Sequence, residues 1–147
     1  MPARAFRNDP FTAFRFLVEI QGMIVGGFTE VTGLDMEMEL EAYREGGVNA
    51  FIHQLPGAMR YPSHLVLKRG LTDADSFWRW YRDAANGDVA RRNGSIILQN
   101  AKGDEVWRWN FVDAYPVRWT GPQLRASSAE IAIESLELAH RGLTKGK

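Results

Sequence analysis

Cysteine is absent from this chain of 147 residues, so neither a disulfide nor a thiolate metal site is open to it. Net charge is absent as well: 18 basic side chains stand against 18 acidic ones, which leaves no overall basic signature for nucleic acid and no polybasic membrane anchor. No apolar run approaches the roughly 18 residues of a membrane span, and the opening MPARAFRNDPFTAF lacks the apolar stretch of a secretory signal. The expectation is a chain made in the cytoplasm and released, if at all, by something other than the general secretory route. Histidine is scarce, and His53, His64 and His140 are not spaced as metal ligands. Phosphate loop, dinucleotide fingerprint, nucleophile elbow and zincin helix are all missing. Gly26-Gly27 and Gly46-Gly47 do not follow a strand and open a helix, so they are not phosphate cradles. No catalytic site, metal or cofactor is therefore expected.

Helix signals are scarce too, and the one clear instance lies within 61–100, which reads strand, helix, strand. Leu65, Val66 and Leu67 are strand formers, and Gly70 ends the run. Thr72 with Asp75 three residues on resembles a capping box, and Asp73 and Asp75 then fall in the first turn of a helix over about 73–86. Ala74, Phe77, Trp78, Tyr81 and Ala85 recur at spacings of three and four, which predicts one apolar stripe. Asn86-Gly87 is a C-terminal stop. A lone helix striped on one face must lie against a sheet made by the rest of the chain.

That sheet material is plentiful. Phe14, Phe16, Val18 and Ile20 alternate with polar neighbours, Ile24 to Phe28 resumes a strand, and Thr29 to Gly33 reads as a turn. Ser95 to Leu98 follows the helix, Lys102-Gly103-Asp104 is a hairpin turn, and VWRWNFVDAY is a strand that Pro116 breaks. In AEIAIESLELAH the apolar phase flips near Glu134-Ser135, which suggests a bulge where the strand bends between two sheets. Residues 1–10 read as a flexible arm and 142–147 as a polar, mobile tail. The fold class is mainly β: one domain over 1–147, a two-sheet barrel or sandwich of seven to eight antiparallel strands with one flanking helix.

Two stretches stand out. In DMEMELEAYRE, Asp35, Glu37, Glu39 and Glu41 take one face and Met36, Met38, Leu40 and Ala42 the other, an acidic stripe about 20 Å long. Next comes a long protruding hairpin or loop over about 43–60, with Val48 to Ile52 as a short strand in it and Pro56-Gly57 near its end. A connection of this length in a compact domain is usually functional. Phe51, Ile52, Leu55 and Met59 call for a partner surface. The stripe reads as a solvated or functional charged face rather than a metal or catalytic site, because a flat row of carboxylates does not wrap a cation. Lys68, Arg69, Arg91 and Arg92 form a candidate inter-subunit basic patch. Five tryptophans leave a monomeric carbohydrate-binding module open as an alternative.

Six segments, in order, resemble the tail-tube (inner-tube) protein family of contractile phage tails and phage-derived extracellular injection systems. They are DPFTAFRFLVEIQG, FTEVTGLDMEMELEAYREGG, LPGAMRYPSHLVLKRG, FWRWYRDAANGDVARRNGSIIL, WNFVDAYPVRWTGPQL and IAIESLELAHRGL, covering nearly the whole chain. Arg141 departs from the acidic residue that the AHEGL-type ending leads one to expect. The resemblance implies a fold similar to the type VI secretion tube protein, and hexameric rings stacked into a hollow tube inside a contractile sheath. It implies partners in the sheath, the baseplate or spike and the tube-terminating proteins, with DNA or protein payload in the lumen. It also implies that the loop carrying Gly46, Gly47, Val48, Asn49, Phe51, Ile52, Leu55 and Met59 contacts the next ring. The acidic stripe then faces either the lumen or Arg91 and Arg92 of a neighbour. Phage, tailocin and effector-injecting particle remain equally open.

Overall fold

The computed structural model describes residues 9–12, 15–23, 26–43 and 53–146. In chain order the elements are β1 (Phe16–Ile20), β2 (Phe28–Thr32), β3 (Glu37–Tyr43), β4 (His53–Arg60), β5 (Leu65–Gly70), α1 (Ser76–Ala85), β6 (Arg92–Gln99), β7 (Glu105–Thr120), β8 (Ile133–Ala139) and β9 (Gly142–Lys145). Seven strands form one antiparallel sheet in the order β1-β6-β7-β8-β5-β2, with β9 also on β7; among the described strands β3 and β4 pair only with each other.

The 16-residue β7 belongs to two half-sheets. Its first part pairs with β6 and β9, and its second part, from Tyr115, pairs with β8. Between them Asp113 has φ 51, a left-handed conformation that aspartate tolerates better than most side chains. Its N–H donates to Asn93 Oδ1 at 3.0 Å, and its carboxylate accepts from Arg141 at 2.8 Å. The inward phase changes here: Phe111 is buried before the bend, Ala114 and Pro116 after it. The two halves then close on one core, Val18, Ile20, Ile96, Phe111 and Leu143 from one side and Leu65, Leu67, Leu136 and Leu138 from the other.

The strand that changes sheets is thus β7 and not, as the sequence suggests, the one around Glu134-Ser135. In β8 the buried positions are Glu134, Leu136 and Leu138, a single unbroken phase. The apparent flip arises because a glutamate occupies a core position. Its partner is Arg69, equally buried, with Nε 2.6 Å from Glu134 Oε1. Trp119 Nε1 donates to the second carboxylate oxygen at 3.3 Å. The guanidinium stacks 3.9 Å from the Phe77 ring centroid and donates to Ser76 Oγ at 3.2 Å, so the pair also ties α1 to the sheet.

Several local expectations change with the structure. Phe77 and Trp80 are the buried residues of α1, while Trp78 points outward and Ala74 precedes the helix. Trp80 can enter the core because its indole N–H donates to the Ala90 carbonyl at 2.8 Å. Asp75 is the N-cap residue but makes no side-chain cap; it pairs with Arg79 at 2.9 Å, and the Thr72 hydroxyl accepts from the Ala74 N–H instead. The C-terminal stop is as expected, with Gly87 at φ 96 and the Gly87 and Asp88 N–H groups donating to the Ala84 and Asp83 carbonyls. Residues 29–32 are strand, not turn, and Pro116 lies within β7, accommodated by a register shift before Arg118. The supposed tail is β9, whose Leu143 is buried opposite Phe111.

Arg69→Met leaves Glu134 buried without its cation. Unfolding in denaturant should show a loss of about 3–5 kcal/mol, most of it recovered in the double variant with Glu134→Leu.

Candidate assembly surface

The hairpin of β3 and β4 stands off the core. It joins the body through residues 33–36 and 61–64, which cross where Gly33 (φ 93) meets β5; a Cβ on Gly33 would overlap the His64 carbonyl. Every described side chain from Asp35 to Ala42 is exposed, as are Gln54 to Arg60 apart from Gly57. The register sets its two faces. Met38 is opposite Met59 and Leu40 opposite Pro56, so β4 carries one extra residue in that interval, a bulge. Gly57 sits in it, and a Cβ there would lie 2.7 Å from the Glu39 carbonyl oxygen. Beyond the bulge, Leu55 falls opposite Glu41.

One face therefore presents Met36, Met38, Leu40 and Met59, each more than half exposed. The other presents Glu37, Glu39 and Glu41, with Asp35 just before the strand begins. Arg60 reaches both Glu37 and Glu39 at 3.1 Å. The Glu37 hydrogen bond and charge, with the Glu39 charge added, push the guanidinium above its ordinary pKa. Self-repulsion along the stripe is thus relieved within the hairpin, by a residue to which the sequence alone draws no attention. The available signal was register: Arg60 is opposite Glu37, and a cross-strand cation is what a row of carboxylates calls for.

Of the expected loop residues, Leu55 and Met59 lie on opposite faces of β4; Gly46, Gly47, Val48, Asn49, Phe51 and Ile52 lie outside the described residues. The four basic residues do not form one patch. Arg69 is in the core with Glu134, so it is no surface contact at all. Lys68 pairs with Glu30 at 2.9 Å, Arg91 lies over the Tyr115 ring at 4.7 Å, and Arg92 donates to the Gln21 carbonyl at 2.7 Å. The tryptophans are mostly engaged with the protein: Trp80 is buried, and Trp78 meets Trp119 edge-on at 4.8 Å.

Among the described residues no group of three or more His, Asp or Glu side chains could hold a metal ion. A hollow of about 550 Å³ is an open dish where Ser95 Oγ donates to Asn110 Oδ1 at 2.7 Å, with Glu19 on the rim. Neither histidine nor a second carboxylate lines it. Elsewhere the body exposes Leu71, Leu124 and Ile131, the last two in the segment between β7 and β8. No helix of the described residues is long and apolar enough to cross a membrane.

Comparison with known proteins points the same way. The family model described as T4-like virus tail tube protein gp19 matches residues 12–144. The chain is 27% identical to one in the cryo-EM structure of the anti-feeding prophage baseplate, 6-fold symmetrised, covering 95% of this chain and 97% of that one at a TM-score of 0.84. It is 25% identical to one in the PVC sheath-tube complex in its extended state, an extracellular contractile injection system, over 95% and 93% at 0.83. Hcp1 from Flavobacterium johnsoniae shares the fold at 14% identity, with 89% and 94% covered and a TM-score of 0.55. No curated protein sequence matches the chain.

Gly57→Val should push the strands of the hairpin apart while leaving the body alone. Limited proteolysis should cut within 37–60 faster than in the parent chain, with an unchanged midpoint of thermal unfolding by tryptophan fluorescence.

Proposed function

Because the chain belongs to the T4-like virus tail tube protein gp19 family, a family of structural tail tube proteins, we propose that it is the repeating subunit of a hollow inner tube, built of hexameric rings stacked one on another. The observation that carries this reading is the uncovered hairpin. A two-stranded ribbon is marginal in water by itself, and this one exposes a methionine-rich face that none of the described elements covers. A second copy is the natural cover, and the body offers exposed apolar side chains at Leu71, Leu124 and Ile131. Contact between unlike surfaces is head-to-tail and closes into a ring when the rotation allows.

The two faces orient the hairpin in such a ring. The apolar face, Met36, Met38, Leu40 and Met59, lies against the neighbour; the face of Glu37, Glu39 and Glu41, continued by Asp35, is left to water and lines the lumen. Like charge on that wall keeps DNA or acidic protein payload from adhering. Arg60 already occupies Glu37 and Glu39, which favours this arrangement over ion pairs with Arg91 and Arg92 of a neighbour. The remainder of the loop, Gly46 to Ile52, reaches the next ring. The similar chains from the anti-feeding prophage baseplate and the PVC sheath-tube complex support a sheath outside the tube and a baseplate below it. Those from the prophage cap and the PVC terminator support closing proteins above it. The protein acts through assembly rather than catalysis, in a particle assembled in the bacterial cytoplasm and carried in a phage tail or a released injection device.

Charging the apolar face tests the reading. Each buried methionine is worth about 1.5–3 kcal/mol, so Met38→Asp with Met59→Asp should weaken ring formation tenfold or more. Negative-stain imaging and size-exclusion chromatography give the readout. Glu39→Gln with Glu41→Gln should keep rings with a central hole. Rings that survive the aspartates and vanish with the glutamines would invert the assigned orientation. A parent chain that stays a monomer even when added to preformed tubes would end the proposal.

A further inference from the structure

His140 occupies the point where the chain leaves one half-sheet for the other. Ala139, the last residue of β8, pairs with Tyr115 in the second part of β7. Beyond His140 the chain runs back along the first part of β7. The Arg141 N–H donates to the Val112 carbonyl at 3.0 Å, β9 pairs from Gly142 to Lys145, and the Gly146 N–H donates to the Arg108 carbonyl at 2.8 Å. Leu143 enters the core, and the Lys145 ammonium rests 4.2 Å from the Trp107 ring centroid. Everything that seats the C-terminal strand follows directly on this one imidazole.

Both of its ring nitrogens are buried, and among the described residues neither meets a hydrogen-bond partner. Its neighbours do not welcome charge. The Tyr61 ring lies 5.0 Å away at a tilt of 58°. His64, in the same connector as Tyr61, stands on this side of the sheet with its Nδ1 3.1 Å from Glu137 of β8. Two carboxylates of the adjoining strands are engaged elsewhere: Glu137 with His64, and Asp113 of β7 with Arg141. Burial pushes the His140 pKa below its ordinary value, the Gly142 backbone offsets part of this, and the proximity of His64 lowers it further.

We propose that His140 is an acid-sensitive latch on the C-terminal strand, holding β9 against β7 while the imidazole is neutral and releasing residues 140–146 when it takes up a proton. A protonated ring presents two N–H donors, and the Gly142 backbone, the acceptor beside it, does not offset the cost of burying the charge. The short route to water is to lift the segment that follows it, since among the described strands β9 pairs with β7 only, whereas β8 lies between β5 and β7. The direction follows from linkage. A histidine whose pKa is depressed when docked contributes its full stabilisation above the undocked value of about 6.5. That contribution is lost as the pH falls through this value toward the docked one, up to tenfold in the opening equilibrium per pH unit.

Amide hydrogen exchange on the full-length chain at pH 7.5 and 5.0, corrected for the intrinsic pH dependence of exchange, tests this. Protection of Leu143 to Lys145 should fall on the order of tenfold more than that of β5. His140→Phe and His140→Gln should each abolish the pH-dependent part, whereas His64→Gln should leave most of it. Equal changes in β9 and β5, or a pH dependence that survives both His140 variants or disappears with His64→Gln, would overturn the latch. Should both His140 variants fail to fold, an NMR titration of the parent chain decides. A His140 ring that takes up its proton while the β9 amide shifts stay fixed refutes the proposal, and concerted movement of the two supports it.

Discussion

A strand of 16 residues shared by two half-sheets is the constraint on which this molecule rests. Strands twist, and a long one cannot stay in register with β6 and β9 on one stretch and β8 on the next without a break. Asp113 supplies the break, in a conformation held by Asn93 from β6 and by Arg141 from the connection to β9. Once β7 turns there, Phe111 and Leu136 can face a common interior, and α1 can close over it through Phe77 and Trp80. Arg141 replaces the acidic side chain expected at its position. A carboxylate there would sit against Asp113, so the cation suits the bend.

The second constraint is what this body cannot do for its hairpin. Twelve side chains of the described residues form one hydrophobic core, and Met36, Met38, Leu40 and Met59 are not among them. The crossing at Gly33 and His64 ties the ribbon to the body through its connectors. Cross-strand pairs, the Arg60 bridge and the Gly57 bulge give it a shape. Burial of apolar surface stabilises a sheet more than any of these, and the described residues do not supply it to this ribbon.

Much of this was legible in the chain. Alternation found β1, β3 and the first part of β7; the glycine at 87 marked the end of α1; and the six matching segments gave the family that residues 12–144 bear out. What was missed shares one physical cause, which is that charge and backbone exceptions are settled by partners far along the chain. Glu134 reads as a surface residue until Arg69, 65 positions away, is seen beside it. Pro116 reads as a breaker until a bulge absorbs it, and GLTK reads as a tail because four residues show no period unless β7 is there to receive them. Likewise the spacing of three and four runs the helical stripe through Trp78 rather than Trp80, since it takes the Ala90 carbonyl to make an indole N–H tolerable inside. For the candidate surface, the alternation of Glu and Met was plain, whereas the bulge that sends Leu55 to the acidic side was not.

An arm that projects from a body and seats on a dissimilar part of the next copy gives any stack a direction. If that contact runs from ring to ring, one terminus displays arms with nothing to grip and the other displays seats with nothing in them. No single protein is complementary to both. Under the proposed stacking, a column needs two chemically different closures, one shaped to receive the arm and one that brings an arm of its own.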